Sequence, residues 1–506
     1  MQSASGLPPA PYDLLVIGGG INGAGIARDA AGRGLAVLLV EQGDLAGATS
    51  SASSKLIHGG LRYLEHYEFR LVREALGERE VLLRNAPHII WPLTFVLPHD
   101  SSQRPRWMIR AGLFLYDHLA ARKSLPGSRS IDLTKAPEGK ALNSSFKAGF
   151  TYADCWVEDS RLVVLNAMDA AARSATIRTR CRFVSGYREQ SLWRATLEQD
   201  GQRETVSARA IVNAAGPWVQ QTIASLGRNE RPHLRLIKGS HIVVPRLYEG
   251  NHAYILQNAD GRVVFVIPYE GQFSLIGTTD VAFTGDPSEV AITPVETAYL
   301  CGAVARVFAK PPKPEDVVWS YAGVRPLYDD DSDDPSAVTR DYVLELDGGA
   351  GAAPVLSVFG GKITTFRRLA EHAMEKLQPV IGFTKGAWTG TAPLPGGDVG
   401  TAGFEAYAHA FAAEFGWLPP ALARRLVRAY GTRARTVLGD ARSMPDMGTD
   451  LGAGLTVSEV RYLITHEWAV TADDILWRRS KLGLHGGAAL KTRLDEWFAV
   501  HQSAIA

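Results

Sequence analysis

Near the N-terminus, a glycine-rich turn lies between two short apolar runs, and the second run ends at an acidic residue. Gly18, Gly20 and Gly23 fit the pattern G-x-G-x-x-G between a predicted buried strand and a predicted small-residue helix. Such glycines allow a tight turn, a close approach of the backbone to a pyrophosphate, and close packing of helix on strand. Glu41 ends the second predicted strand, where a carboxylate accepts hydrogen bonds from ribose hydroxyls. The spacing predicts a βαβ unit that binds a dinucleotide.

Two later segments favour FAD as that dinucleotide. No second fingerprint follows a predicted strand, because the glycine cluster at 348–351 follows a polar segment and predicts a hairpin loop. Another predicted strand ends in small residues at Gly216, which suits close backbone contact with a large cofactor. Paired glycines at 360–361 precede a predicted helix over 365–377, whose N-terminus can stabilise negative charge on a reduced flavin. No cysteine lies near these segments, so we expect non-covalent FAD.

Six motifs make the sequence resemble the aerobic, FAD-dependent glycerol-3-phosphate dehydrogenases of bacteria, which belong to the D-amino-acid-oxidase-like flavoproteins. The motifs are TSSASSKLIHGGLRYL at 49–64, IKGSHI at 237–242, GTTD at 277–280, AGVRP at 322–326, TRDY at 339–342 and FGGKITT at 359–365. The resemblance covers nearly the whole chain. It implies oxidation of sn-glycerol 3-phosphate to dihydroxyacetone phosphate by hydride transfer to FAD, with reoxidation by a membrane quinone.

The resemblance also implies which side chains bind ligands. By similarity, Arg325 and Lys362 contact the substrate near the flavin, and Arg62, Tyr63 and Arg340 line the same pocket. An arginine fork suits bidentate phosphate binding, whereas a lysine acts as a point charge. The predicted cofactor-binding residues are Gly18, Gly20, Ile21, Asn22, Gly23, Glu41, Thr49, Ser50, Ser53, Lys55, Leu56, Gly216, Gly361, Lys362, Ile363 and Thr364.

Two residues are candidates for the base that takes the hydroxyl proton of the substrate. His241 is one, because an imidazole titrates close to working pH. Lys362 is the other, if burial beside the cations depresses its pKa. Both remain open, and together with Arg325 they form the predicted catalytic set.

Two other functions are compatible with the same fold. A flavin-dependent amine or amino-acid oxidase would need one arginine for a carboxylate and little further positive charge, whereas four cations lie in the motifs here. A non-catalytic FAD-binding protein would tolerate the loss of those cations. Their placement therefore argues against both alternatives.

The elements that must position these residues form three predicted units. The fold class is α/β plus α+β, with a Rossmann-like FAD-binding domain, an antiparallel-sheet substrate domain and a C-terminal all-helical domain. Strand-rich pieces broken by turns between 241 and 278 predict the antiparallel sheet, and helical patterns dominate after about residue 400. The predicted limits are 1–70, 150–230 and 336–390 for the FAD-binding domain, 71–149 and 231–335 for the substrate-binding or cap region, and 391–506 for the helical domain.

The composition excludes several classes of partner and site. The 506 residues include 54 basic and 53 acidic ones, and this net charge of +1 gives no sign of a nucleic-acid partner. The three cysteines are widely spaced and form no CxxC pair, so we expect neither a zinc site nor disulfides, and a reducing compartment. The acidic stretch 329–334 lacks the glycine and glutamate of an EF-hand, so we predict no metal.

Residues 103–123 are the candidate for membrane contact. On a helix, aromatic residues and basic flanks of this kind are typical of a bilayer interface, and the alternative is a helix packed on its own core. One side would carry Met108, Leu115 and Leu119, the opposite side Arg106, Arg110 and Asp117, with Trp107, Phe114 and Tyr116 as the aromatic residues. No run of 18 apolar residues predicts a membrane span. Because quinone is dissolved in lipid, the resemblance implies a cytoplasmic protein attached peripherally to lipids of the inner face of the cell membrane; a homodimer is an open alternative to a monomer.

Overall fold

The computed structural model describes residues 10–101, 103–121, 124–228, 234–328, 341–349 and 351–505. Its strands are β1 (Tyr12–Ile17), β2 (Val37–Val40), β3 (Leu56–Ile57), β4 (Ile90–His99), β5 (Arg129–Asp132), β6 (Ala148–Val157), β7 (Thr176–Arg178), β8 (Cys181–Glu189), β9 (Leu192–Gln199), β10 (Gln202–Asn213), β11 (Leu234–Pro245), β12 (Ala253–Gln257), β13 (Val263–Tyr269), β14 (Phe273–Gly277), β15 (Val281–Ala282), β16 (Trp319–Tyr328), β17 (Val343–Gly349) and β18 (Ala352–Phe359). Its helices are α1 (Ile21–Gly32), α2 (Phe69–Asn85), α3 (Arg106–His118), α4 (Asp159–Ala172), α5 (Val219–Ser225), α6 (Pro294–Ala305), α7 (Phe366–Ile381), α8 (Gly403–Glu414), α9 (Pro420–Tyr430), α10 (Ala434–Leu438), α11 (Val457–Glu467) and α12 (Gly483–Ile505). The predicted site residue Arg340 and the acidic stretch 329–334 lie outside the described residues.

The first sheet has eight strands and is parallel at its centre. Its main path runs β17-β18-β10-β1-β2-β7, and β8 and β9 add an antiparallel hairpin beside β10. β1 pairs in parallel with β2 on one side and with β10 on the other. Leu14, Leu15 and Val16 of β1 are fully buried, which explains why this strand is a continuous apolar run. The predicted Rossmann-like unit is confirmed.

Helices α1, α4 and α7 cover this sheet and share one apolar core with it. Small residues in α1 allow its neighbours to approach closely. An added Cβ on Gly25 would lie 2.8 Å from the ring of Phe366, the first residue of α7. The glycine turn before α1 and the turn before α7 are therefore held side by side.

The second sheet has ten strands and is antiparallel apart from the pair β12–β4. Its path runs β15-β11-β14-β13-β12-β4-β6-β3, with β16 paired to β11 and β5 to β6. Helix α6 packs on one face, and α2 and α3 pack on the other. The predicted antiparallel sheet is confirmed. β3 and most of β6 lie within the predicted limits of the FAD-binding domain, 1–70 and 150–230, but both strands pair in this second sheet. The domain limits at 70 and 150 remain predictions.

Helices α8 to α12 enclose a separate apolar core and form the predicted C-terminal helical domain. A π-helical turn, Asp474–Arg479, lies between α11 and α12. This domain is joined to the first part of the chain by buried ion pairs, among them Arg161–Glu467 and Arg479–Asp44.

Candidate functional site

The dinucleotide turn is closed at two of its glycines and open at the third. Gly18 has a φ of +111°, and an added Cβ there would lie 2.5 Å from the carbonyl oxygen of Ala214. An added Cβ on Gly23 would lie 1.9 Å from the carbonyl oxygen of Gly18. At Gly20 the nearest atom is Ser50 Oγ, at 3.1 Å. The first two glycines are thus required by the chain itself, and the third leaves space for a ligand.

Glu41 braces the same turn. Its Oε2 accepts a hydrogen bond of 2.6 Å from the backbone N–H of Gly19, and its Oε1 accepts one of 2.8 Å from that of Gly43. The pKa of the Glu41 carboxyl is raised, because burial raises it by more than these two hydrogen bonds lower it. Each oxygen keeps a second lone pair, so the predicted contact with ribose hydroxyls is compatible with this geometry.

The Ser/Thr run after Glu41 links several elements around the turn. Ser50 Oγ accepts a hydrogen bond of 3.0 Å from the backbone N–H of Ile21, at the start of α1. Thr49 Oγ1 donates to the carbonyl oxygen of Val324 in β16, at 2.6 Å. Ser53 Oγ donates to Asp159 of α4, at 2.8 Å. The run therefore places β16 beside the dinucleotide turn.

The side chain of Lys55, a predicted cofactor-binding residue, is bonded within the protein. Its side chain is fully buried, and its Nζ lies 2.7 Å from Asp159 Oδ1 and 3.1 Å from the carbonyl oxygen of Ser51. The ammonium is thus already paired with a buried carboxylate. Leu56 is likewise a buried residue of β3. Any contact of these two residues with FAD has to come from their backbone.

The FGGK turn lies against the start of α1. Asn22 Nδ2 donates a hydrogen bond of 3.1 Å to the carbonyl oxygen of Gly360, and Gly361 has a φ of +95°. Asn22 Oδ1 is buried and has no hydrogen-bond partner among the residues described. Gly216, at the end of β10, has a φ of +56°, and an added Cβ there would meet no described atom within 4 Å. The unsatisfied acceptor of Asn22 and the open space at Gly216, near one edge of the parallel sheet, fit the binding of FAD.

The predicted cations are not equivalent. Lys362 Nζ lies 3.9 Å from the centroid of the Tyr63 ring, is buried, and has no hydrogen-bond partner in the described part of the chain. Arg325 in β16 instead donates to Asp280 Oδ1 at 2.6 Å, and both side chains are nearly half exposed. Arg62 is half-buried in the same helical turn as Tyr63. An ammonium ion without a counter-ion is the group most ready to receive an anionic ligand.

The motifs that carry these cations adjoin one another. An added Cβ on Gly360 would lie 3.7 Å from the carbonyl oxygen of Pro326, which follows Arg325. His58 of the first motif donates its backbone N–H to Thr364 Oγ1, at 3.2 Å. The structure therefore brings the predicted residues of three separate motifs to one place.

His241 does not meet the expectation of a pKa near working pH. Burial, together with the positive charges of Lys55 and Arg325, lowers the pKa of this imidazole to about 3. The ring stacks on Tyr321, with centroids 4.8 Å apart, and its Nε2 shares a hydrogen bond of 2.9 Å with Ser54 Oγ. A neutral ring held in this way is a weak proton acceptor, which reduces the case for His241 as the base.

Sequence reasoning did not select His58, although it lies inside a motif that carries the resemblance. Burial lowers the pKa of His58, the charge of Asp154 raises it, and the charge of Lys362 lowers it. This coupling to Lys362, together with the hydrogen bond from the His58 backbone to Thr364, places His58 beside the FGGKITT segment. Its position between the Ser/Thr run and Tyr63 was the available signal.

A buried polar network supports the turn after His58. The backbone N–H of Gly59 donates to Tyr116 Oη at 2.9 Å, and that hydroxyl donates to Asp154 at 2.8 Å. Arg79 Nη1 lies 2.5 Å from Asp154 Oδ1. Tyr116 is only 2% exposed, so the prediction that it lies at a bilayer interface is wrong: its hydroxyl satisfies a buried backbone donor instead.

Most of the chain is similar to known proteins. Residues 13–367 match the family model described as FAD dependent oxidoreductase, and residues 387–503 match the C-terminal domain of alpha-glycerophosphate oxidase. The chain is 55% identical to a glycerol-3-phosphate dehydrogenase of Pseudomonas aeruginosa, over 98% of this chain and 97% of that protein. It is 52% identical to the D-erythritol 1-phosphate dehydrogenase of Brucella abortus, over 97% and 98% respectively.

A solved structure is similar along nearly its full length. The glycerol-3-phosphate dehydrogenase of Bacillus halodurans, solved in complex with FAD, superposes with a TM-score of 0.79 at 27% identity. The match covers 98% of this chain and 91% of that one. The predicted three-part fold and the predicted cofactor are both confirmed by these matches.

Proposed function

Because the chain belongs to the FAD dependent oxidoreductase family, in the group of the glycerol-3-phosphate dehydrogenases, we propose that it oxidises sn-glycerol 3-phosphate to dihydroxyacetone phosphate. The observation that carries the proposal is the buried ammonium of Lys362, which has no hydrogen-bond partner among the described residues and lies against Tyr63 beside the FGGK turn. A dianionic phosphate is a matching ligand for such a cation.

FAD, the cofactor of this family, would be held at the edge of the parallel sheet. Its pyrophosphate suits the open backbone at Gly20 and the N-terminus of α1, and Glu41 suits the ribose. Gly216 and the turn at 361–364 suit the remainder of the molecule. When bound, FAD supplies the hydride acceptor of the reaction.

The substrate would be oriented by the cations. In the proposal, Lys362 and Arg325 attract the phosphate, Arg62 lines the same pocket, and Arg340 adds a further positive charge. Asp280 competes with the phosphate for Arg325, since the two side chains are already paired at 2.6 Å. Binding therefore involves an exchange of anionic partners at Arg325.

The hydroxyl proton has to pass to a group of the chain. Both candidates have to be tested: burial lowers the pKa of His241 to about 3, which makes its imidazole a weak acceptor, and Lys362 can take the proton only as a neutral amine, not as the ammonium that attracts the phosphate. The rate of substrate-dependent flavin bleaching across pH distinguishes between them. Loss of the pH dependence in Lys362→Met but not in His241→Gln would support Lys362, and the reverse pattern would assign the base to His241.

A second candidate substrate follows from the relative named D-erythritol 1-phosphate dehydrogenase, which is 52% identical to this chain. D-erythritol 1-phosphate, like glycerol 3-phosphate, is a polyol that carries a phosphate, so the same cations would attract it. Steady-state turnover with an artificial electron acceptor separates the alternatives, with glycerol 3-phosphate, D-erythritol 1-phosphate and an amino acid as substrates. The highest kcat/KM with glycerol 3-phosphate is expected; turnover of the amino acid alone, or of none, would overturn the proposal.

We further propose peripheral attachment to the cytoplasmic face of the cell membrane through α3, with quinone as electron acceptor. Trp107 and Phe114 are 70% and 57% exposed, and Met108 and Leu115 are exposed beside them. Arg106 is exposed at the start of the same helix. No helix among the described residues is both long and apolar enough to cross a bilayer. An outward row of large apolar side chains with a basic end supports binding at one leaflet.

A further inference from the structure

The loop at 41–47, between β2 and the Ser/Thr run, is bonded directly to the dinucleotide turn. Besides the contact of Glu41 with the Gly19 N–H, the backbone N–H of Ala46 donates to the carbonyl oxygen of Gly19 at 3.1 Å. An added Cβ on Gly19 would lie 3.0 Å from the Leu45 side chain. A displacement of this loop would therefore move Glu41 relative to the glycine turn.

On its other side, the loop is hydrogen-bonded to the C-terminal helical domain. Asp44 is buried, and its two carboxylate oxygens lie 2.5 Å and 2.7 Å from Nη1 and Nη2 of Arg479. Nε of Arg478 also donates to Asp44. The Arg479 side chain is 0% exposed, and its Nε donates to the carbonyl oxygen of Glu467 at 3.0 Å. One guanidinium thus ties the end of α11 to the loop.

A second contact with the C-terminal domain is made at the neighbouring turn between β7 and β8. Arg180, between β7 and β8, donates its backbone N–H to the carbonyl oxygen of Gly43 at 2.8 Å. Its guanidinium lies 2.6 Å from Asp474, the first residue of the π-helical turn. π-Helical turns are rare in proteins, and those that occur often lie at functional sites. The segment 467–479 therefore holds the loop at two points.

Such contacts are better explained by a role in positioning the loop than by a contribution to the stability of the folded protein. Replacing a buried ion pair with apolar residues is often neutral or stabilising, because removing two charges from water is costly. A bidentate arginine does, however, fix the direction of a carboxylate. We propose that Arg479, assisted by Arg478, is a positioning residue for FAD: through Asp44, the C-terminal domain holds the loop that presents Glu41 to the adenosine end of the cofactor.

The proposal depends on FAD binding and not on which phosphorylated alcohol is oxidised. It is tested with Arg479→Lys, which keeps the positive charge, and Asp44→Asn, which keeps the side-chain size; each loses the bidentate charged contact. Flavin is removed from each variant, and the Kd for FAD is measured by titration of flavin fluorescence. The Kd should rise about tenfold or more. The Kd for ADP should rise by a similar factor, because ADP probes the adenosine end alone.

Arg425→Lys is the matched control. Arg425 makes a bidentate contact of 2.6 Å and 2.7 Å with the buried Glu459, but this pair lies wholly inside the C-terminal domain. It should lower the melting temperature while leaving the Kd for FAD and ADP within about twofold. Should Arg479→Lys fail to fold, Arg478→Lys, whose side chain is 20% exposed, replaces it. Melting temperatures lowered as in the control, with both Kd values unchanged, would show a merely structural role and overturn the proposal.

Discussion

The ammonium of Lys362 lies 3.9 Å from the centre of the Tyr63 ring, although the two residues are almost 300 positions apart in the sequence. The aromatic face holds the charge without neutralising it. The buried ammonium of Lys55, by contrast, is neutralised by Asp159, and Arg325 is paired with Asp280. Lys362 is therefore a cation stabilised in place with its N–H donors available for a ligand.

Removal of this cation should weaken catalysis far more than folding. We expect Lys362→Met to lower kcat/KM for glycerol 3-phosphate roughly 10- to 100-fold, since a hydrogen bond to a charged group contributes about 1.5–3 kcal/mol. Flavin content, measured by absorbance, should stay near that of the parent protein. A kcat/KM within about twofold of the parent would contradict the assigned role.

Tyr63 offers a paired test of how Lys362 is held. Tyr63→Phe keeps the ring and should preserve kcat/KM, whereas Tyr63→Leu removes a contact of about 0.5–2 kcal/mol and should lower it by a factor of about 2 to 30. Steady-state kinetics on both variants give the comparison. Equal losses in the two variants would mean that the hydroxyl, and not the aromatic face, is the functional group.

Arg325 and Asp280 should have opposite effects on substrate binding. Arg325→Ala is expected to raise KM for glycerol 3-phosphate at least about threefold, which corresponds to ~0.7 kcal/mol. Asp280→Asn removes the competing carboxylate and should lower KM. The measurement is initial rate against substrate concentration at two ionic strengths, because salt screens exposed charges such as these. An unchanged KM in Arg325→Ala would rule out a phosphate contact.

The imidazole of His241 should give stability a pH dependence of definite sign. Burial lowers its pKa to about 3 from 6.5, so between these values the unfolded chain binds a proton that the folded chain does not. The free energy of unfolding therefore rises with pH in this window, by up to about 1.4 kcal/mol per pH unit, and this contribution is complete above 6.5. His241→Gln should make the measured slope shallower by this contribution in urea unfolding at about pH 5, 6 and 7.

His88 is the matched control for this slope. It is fully buried, and burial likewise lowers its pKa to about 3. His88→Gln should flatten the pH dependence by a similar amount, and the double variant should flatten it twice as much. If the slope in His241→Gln is as steep as in the parent protein, the imidazole is charged in the folded protein and its role as a base has to be reconsidered.

The local features of this fold could be predicted from the sequence because their causes are local. Gly18 and Gly23 are required by steric contacts within the turn itself, so their spacing was sufficient to locate it. Period and composition likewise predicted α1 and β2. The positions of the motifs could be named, since each motif is a short continuous segment.

The state of each site residue depended on partners far away in the chain. The burial of Lys55 is decided by Asp159, and the pKa of His241 by its surroundings in the second sheet. Asp44 meets Arg479 across 435 positions. No pattern within a window of ordinary length contains such pairs, and for this reason neither the buried ion pair of Lys55 nor the lowered pKa of His241 could be predicted from the sequence.

Helix α3 provides the test of membrane attachment. Its inward residues Leu113 and Tyr116 are buried, whereas Trp107 and Phe114 point away from the protein. Each such side chain contributes about 1.5–3 kcal/mol when it leaves water, so Trp107→Ser with Phe114→Ser should lower partitioning at least about 100-fold. Co-sedimentation with vesicles of phosphatidylcholine and phosphatidylglycerol measures the effect. The exposed Arg106 should add a salt-sensitive part of about 1 kcal/mol.

Arg110 is left unchanged in this experiment, because its guanidinium is bonded to Ser128 Oγ at 2.7 Å. Val295→Ser is the control: Val295 is 79% exposed on α6, which packs on the opposite face of the second sheet from α3. That variant should bind vesicles like the parent protein, because only the α3 face is expected to enter the lipid. If the double variant of α3 also binds like the parent, the lipid-binding surface lies elsewhere, and the exposed side chains of α3 need another explanation.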